Sequence, residues 1–214
     1  MNMLLAGATG LIGQAVVAQW NGPGALHLLA RRMLPAPGAN CQVHVVDFTA
    51  LPALPPAEAA ICALGTTLKT AGSQAAFRAV DFDAVLAFAQ AAKAAGVQRL
   101  AVVSALGAHA RSSNFYSRVK GEMEAALAAL GFQTLLIARP SLLTGNRGAL
   151  GQPQRTMEHL AMQLSAPLSA LVPAAWRPIA ADTVARALLR TLAQPEPGVH
   201  ILDNAALHRA GTAP

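Results

Sequence analysis

Short apolar runs alternate with longer segments of helical periodicity along most of this chain. Residues 2–6, 25–30, 42–46, 58–63, 98–104 and 133–139 are compact apolar runs, the pattern of strands buried on both faces. Residues 11–20, 74–95, 115–130 and 181–193 repeat their apolar positions at helical spacing. Gly96 and Gly131 stand just past the second and third of these helices, where a left-handed C-cap is expected. Strands alternating with helices predict an α/β protein, with a doubly wound parallel sheet covered on both faces. Pro52, Pro55 and Pro56 make the connection after residue 47 irregular. The segment 141–178 holds Gly145, Gly148, Gly151, Pro153, Pro167 and Pro173 and is the least regular part of the chain. It follows the sixth strand at the carboxyl end of the sheet, where such folds bind ligands, and is expected to face a substrate. Residues 204–214 read as a mobile tail. The whole of 1–214 is expected to be one domain.

Composition narrows the function. With 54% hydrophobic and 12% charged residues, the chain has the makings of a full core and none of the signature of disorder. Its formal charge of +6 invites a nucleic-acid reading, but the basic residues are scattered. The longest basic run is Arg31-Arg32 and aromatic residues are 4% of the chain, too few for a stacking surface. No nucleic-acid partner is expected, and a few of these charges suffice for a small anionic ligand. Cys41 and Cys62 fall on apolar strands and read as buried free thiols compatible with a reducing cytoplasm. No signal-peptide pattern and no membrane-spanning apolar run are read, so a soluble cytoplasmic protein is expected.

The first strand runs directly into Gly7-Ala8-Thr9-Gly10-Leu11-Ile12-Gly13. Glycines at 7, 10 and 13 answer three needs: a tight exit from the strand, room for a pyrophosphate, and close packing of the following helix on the sheet. Unpaired N–H groups at that helix N-terminus would face the anion. Strand, turn and helix in this order predict a Rossmann-type dinucleotide site.

Other candidates fall at the ends of later strands. Arg31 and Arg32 follow the second strand, where a preference for NAD would call for an acid. Guanidinium groups there suit a 2′-phosphate, so NADP(H) is expected over NAD(H). Asp47 ends the third strand, and it reads equally as an acceptor for an adenine amino group and as a turn aspartate. Leu64, Gly65 and Thr66 leave the fourth strand on the expected cofactor side. The chain's only tyrosine, Tyr116, is followed four residues later by Lys120 at the start of a predicted helix. That spacing puts phenol and ammonium on one face. A nearby cation favours the phenolate, and a phenol so tuned can exchange a proton with a carbonyl or alcohol. Ser104, ending the fifth strand, could steady the charge on a substrate oxygen. The six histidines show no metal-ligand spacing and no metal is expected.

Together these residues resemble the short-chain dehydrogenase/reductase superfamily in its atypical or extended NAD(P)-binding branch. The resemblance covers residues 3–145. Within that branch the chain looks most like the Tat-interacting-protein-type oxidoreductases, on Gly7–Gly13, Ala30-Arg31-Arg32, Val46-Asp47-Phe48, 62–67, Ser112-Ser113-Asn114-Phe115 and Tyr116–Gly121. The resemblance implies that Gly7, Thr9, Gly10, Leu11 and Ile12 line a pyrophosphate and that Arg31 or Arg32 holds the 2′-phosphate. It implies that Tyr116 is the general acid/base and that Lys120 binds the nicotinamide ribose. Pro140, Leu142 and Leu143 would touch the nicotinamide end. Two positions depart from the superfamily pattern: Ala105 follows Ser104 where a second serine is frequent, and Asp81 stands where an asparagine often supports a proton relay.

The expected activity is hydride transfer between nicotinamide and a small carbonyl or alcohol substrate by a monomer or homodimer. One alternative is a non-catalytic NADP(H)-binding sensor. A third is a nucleotide-sugar epimerase or dehydratase, for which the residues after Leu143 are few.

Overall fold

The computed structural model describes residues 1–35, 38, 40–145 and 173–212. All six expected strands form: β1 (Met3–Ala6), β2 (Leu26–Ala30), β3 (Cys41–Val45), β4 (Ala59–Cys62), β5 (Arg99–Val103) and β6 (Thr134–Ala138). They are joined by Gly198–Leu202 in one parallel sheet, ordered β3, β2, β1, β4, β5, β6 and then the Gly198–Leu202 strand. The order reverses between β1 and β4, where Met3 pairs with Ala59 and Ala6 with Cys62. That is the switch point at which this class of sheet opens a crevice. Met3, Leu4, Leu5 and Ala6 are all fully buried, as a central strand without alternation requires.

Two apolar layers cover the sheet. On one face Val16 of α1 (Leu11–Gln19) packs with Leu5, Leu28 and Leu136. On the other, Phe88, Met123 and Leu127 pack with Leu4, Leu100 and Leu135. Phe88 comes from a helical region that the periodicity predicts as continuous over 74–95. It forms in three pieces after a short α2 (Leu68–Ala71): α3 (Gln74–Arg78), a π-helical turn (Ala79–Ala84) and α4 (Val85–Ala94). Met123 and Leu127 come from α5 (Phe115–Ala128), capped by the Asn114 side chain accepting from the Ser117 N–H at 3.1 Å.

The chain beyond β6 departs furthest from expectation. Short strands β7 (Leu143–Thr144) and β8 (Ile179–Ala180) pair with each other; 146–172, most of the expected substrate-facing segment, lies outside the described residues. After α6 (Ala181–Ala193), Gly198–Leu202 forms β9, which the sequence reading omits. It is an edge strand whose Val199 and Ile201 stay about half exposed. The expected mobile tail is instead α7 (Asn204–Thr212), seated on α6 with Leu207 fully buried. Asn204, also fully buried, starts it. Its amide oxygen accepts from the Ser141 N–H at 2.9 Å, and its nitrogen donates to the carbonyls of Ala174 and Arg177 at 2.8 Å each. One side chain thus ties the exit of β6 to the approach to β8.

Two predictions follow from the fold. Replacing Asn204 by alanine removes the partner of the half-buried Ser141 amide and of the Ala174 carbonyl, while the Arg177 carbonyl keeps the Ser141 hydroxyl at 2.6 Å. The change should cost roughly 2 kcal/mol, read as a lowered denaturant midpoint at unchanged m value. On the sheet's other edge, His27 Nδ1 lies 3.0 Å from His44 Nε2. Burial, and then the neighbouring His44, lowers the His27 pKa below the usual imidazole value. The unfolded chain therefore binds a proton that the folded chain resists, so stability should fall as pH drops through about 6.5. In the His27→Gln variant, urea midpoints at pH 7 and pH 5 should differ less than in wild type.

Candidate functional site

The turn after β1 is built by backbone crowding. Gly7 has φ of +90°, and a Cβ there would sit 2.5 Å from the Ala63 carbonyl carbon and oxygen. Only glycine satisfies both conditions. At Gly13 a Cβ would meet the Gly7 oxygen at 2.1 Å, so its lack of a side chain seats α1 on the turn itself rather than, as expected, on the sheet. Gly10 differs. A Cβ there would meet only the Gly7 oxygen at 3.4 Å, an ordinary contact. The protein's own packing leaves space at Gly10, the N-cap of α1, which has no side-chain cap and no acid in its first turn. Open space above uncapped N–H groups fits an anion such as a pyrophosphate. Thr9 is exposed and Leu11 half-buried beside this opening, while Ile12 turns into the core.

The exit of β4 carries the site toward α5. Ala63 and Leu64 press against Gly7, and the Thr66 N–H donates to Asp81 Oδ2 at 2.8 Å. Asp81, 1% exposed, projects from the π-helical turn and pairs through Oδ1 with Lys120 Nζ at 2.7 Å. A single extra residue in a helical turn redirects a side chain in this way, and such bulges recur at functional sites. Lys120, 3% exposed, also donates to the Val103 carbonyl at 3.5 Å. Burial acts to lower its pKa, but Asp81, and after it Tyr116, overcome that and hold it above the ordinary lysine value. Lys120 is therefore a full cation at neutral pH. Gly65 is exposed directly over the pair: a Cβ there would lie 3.3 Å from Asp81 Oδ1 and 3.9 Å from Lys120 Nζ. Tyr116, one turn earlier on α5, is half-buried with its ring 5.4 Å from that of Phe77. Burial pushes the nearby Cys62 thiol up to about 12, so it is a neutral core group. Cys41, expected to be buried like Cys62, is partly exposed.

One turn further along the same face, α5 carries a second buried charge. Glu124 accepts the Ser104 hydroxyl at Oε1 and also receives Arg139 Nε at 3.0 Å; its Oε2 receives the Arg139 terminal nitrogen at 2.5 Å. Ser104, expected to face a substrate oxygen, has its proton committed to this carboxylate and is itself buried. Sequence reasoning missed Glu124. The signal was present as a regular spacing of four, Tyr116, Lys120, Glu124, on a face that otherwise turns apolar residues inward.

The remaining candidates sit around this centre. Arg31 and Arg32 are exposed just beyond β2, the neighbour of β1, and among the described residues neither enters an ion pair. Of the two readings of Asp47, the structure supports the turn: Oδ1 accepts both the Thr49 N–H at 2.9 Å and its hydroxyl at 2.8 Å, which hold the carboxyl below its usual pKa. Thr67 is spent on capping α2, accepting from the Thr70 N–H. Pro140 is buried and Leu142 and Leu143 half-buried past β6, and a Cβ at Gly145 would meet Leu11 Cδ2 at 3.0 Å. A separate cavity of about 710 Å³ opens by the amino ends of β1 and β5. Its Arg99 and Arg186 donate to the carbonyls of Leu192 and Gly211, ends of α6 and α7, as C-terminal helix caps do. No helix among the described residues is long and apolar enough to cross a membrane.

Comparison with known proteins agrees with this arrangement. Residues 7–195 match a family described as NAD(P)H-binding. The chain is 36% identical to Protein HTATIP2 of Rattus norvegicus over 180 residues, which covers 80% of this chain and 71% of that protein. It is 35% identical to the Protein FMP52, mitochondrial, of Eremothecium gossypii, over 69% of this chain and 68% of the relative. Among solved structures, MoeE5 in complex with UDP-glucose and NAD superimposes with a TM-score of 0.72 at 17% identity, covering 94% of this chain and 75% of that one. A UDP-N-acetylglucosamine 4-epimerase from Methanobrevibacter ruminantium M1 gives 0.71 at 15% identity, with 94% and 76% covered. At such identities these structures speak for the fold. The glycine turn at the switch point, the sheet order and the matched family together make this chain a member of the NAD(P)H-binding family, in the atypical, Tat-interacting-protein-type branch of the short-chain dehydrogenase/reductases.

Proposed function

We propose that the protein is an NADP(H)-dependent oxidoreductase acting on a small carbonyl or alcohol, with Tyr116 as general acid/base. The observation that carries this reading is the contact chain from the glycine turn to α5: Gly7 against Ala63–Leu64, Thr66 N–H to Asp81, Asp81 to Lys120. It links the opening at Gly10 to the phenol–ammonium face of α5.

The residues fit the dinucleotide. Gly10 leaves room and uncapped N–H groups for the pyrophosphate, and Gly65 leaves room over Lys120 for a ribose hydroxyl. Arg31 and Arg32 offer two exposed guanidinium groups for a 2′-phosphate. When bound, the cofactor supplies hydride chemistry at its nicotinamide. Tyr116 gives a proton to the substrate oxygen in reduction and takes one from it in oxidation. Lys120 holds the ribose edge and keeps positive charge beside the phenol as its proton leaves. Buried Pro140 and half-buried Leu142 and Leu143 would line the nicotinamide end. A cytoplasmic monomer or homodimer with a small-molecule substrate completes the reading; the two free thiols fit a reducing compartment.

One observation favours a second reading, an NADP(H)-binding sensor without turnover: the Ser104 hydroxyl is committed to Glu124 instead of to a substrate. Stereospecific exchange of labelled hydride from NADPH into a panel of small aldehydes and ketones separates the two. Tyr116→Phe should leave NADPH affinity within about twofold and lower turnover by about 10²- to 10⁴-fold. Turnover retained in that variant removes Tyr116 from the mechanism. In a titration of both nucleotides, Arg31→Ala with Arg32→Ala should weaken NADPH by about 10- to 100-fold and leave NADH nearly unchanged. Equal affinity of wild type for the two nucleotides would contradict the NADP assignment.

A further inference from the structure

We propose that Asp81 is a positioning residue that locks the cofactor-facing exit of β4 and the Tyr116–Lys120 face of α5 into one unit, holding the Thr66 amide with one carboxylate oxygen and the Lys120 ammonium with the other. The inference deepens the oxidoreductase reading, on which the roles of Tyr116 and Lys120 rest, by naming what holds Lys120 in place.

The geometry divides the two oxygens cleanly. Oδ2 accepts the Thr66 N–H at 2.8 Å and Oδ1 lies 2.7 Å from Lys120 Nζ. Both side chains are almost wholly buried. A buried carboxylate and ammonium are each costly alone, and the loss of either partner leaves an uncompensated charge. The pair is therefore held tightly in register. Asp81 projects from the π-helical turn Ala79–Ala84, a local irregularity of the kind that recurs at functional sites. Among the described residues, Asp81 is the only carboxylate acting on Lys120; the other groups are the Tyr116 phenol on α5, the Cys62 thiol on β4 and the Val103 carbonyl on β5. The Cys62 thiol is neutral, so the ammonium's charge rests on Asp81.

The chain has three lysines, Lys69, Lys93 and Lys120, so each can be followed by NMR of lysine labelled at the ε-carbon. The Lys120 signal is assigned by its loss in Lys120→Met. In wild type it should titrate above the ordinary lysine value. In Asp81→Asn, which keeps an acceptor for the Thr66 amide but removes the charge, burial should prevail and Lys120 should titrate below that value. A Lys120 titration unmoved by Asp81→Asn overturns the proposal. If Asp81→Asn does not fold, Lys120→Met tests the same tie from the other side. Its Thr66 amide should exchange with solvent at least tenfold faster than in wild type, because Asp81 is left buried without its cation. An unchanged rate overturns the proposal. Neither signal needs cofactor or turnover, so a failed hydride assay would sink the oxidoreductase reading and leave this result standing.

Discussion

The structure turns on the approach of Gly7 to the exit of β4. At that point the strand order reverses, and the two backbones come closer than any side chain allows, with a Cβ at Gly7 falling 2.5 Å from Ala63. The contact aims the N-terminus of α1 out of the carboxyl end of the sheet and, from the opposite side, sends residues 63–66 toward the π-helical turn. Everything proposed for the site lies along this line. The free space at Gly10 has meaning because Gly7 and Gly13 are filled to the limit by backbone, while the protein makes no use of the volume beside their neighbour.

Helix α5 is held by charge as well as by its apolar face. Met123 and Leu127 dock it on the sheet, as they would any amphipathic helix. Lys120 and Glu124 then fix its rotation and height. One pairs with Asp81 of the preceding helical region, the other with Arg139 at the end of β6 and Ser104 at the end of β5. Apolar packing tolerates small slips, whereas a buried ion pair separated by a slip leaves two desolvated charges. The two pairs thus set where Tyr116 stands, and they also set what Lys120 does. Its charge is answered inside the protein by Asp81, a partner that the Y-x-x-x-K spacing does not announce.

The sequence disclosed β1 to β6, the four main helical regions and the glycine turn, because each is a local pattern: apolar runs, a period of 3.6 and a glycine triplet of fixed spacing. The reading of 42–46 as a buried strand is corrected by β3, a partly exposed edge. Asn204 escaped because its partners lie 27 to 63 residues away. The edge strand β9 escaped because it follows Pro195, Pro197 and Gly198, which read as a turn, and His200 interrupts its short apolar run. The π-helical turn escaped because apolar periodicity cannot reveal one added residue in an alanine-rich stretch.

By itself the sequence determined the parallel sheet, the dinucleotide turn and the candidate pair Tyr116 and Lys120, since backbone sterics and burial act over a few residues and leave their mark there. Tertiary structure alone decided the partners: that Asp81 takes Lys120 and that Glu124 takes Ser104 and Arg139. Charges choose partners by distance and desolvation in three dimensions, and neither is written in the spacing along the chain.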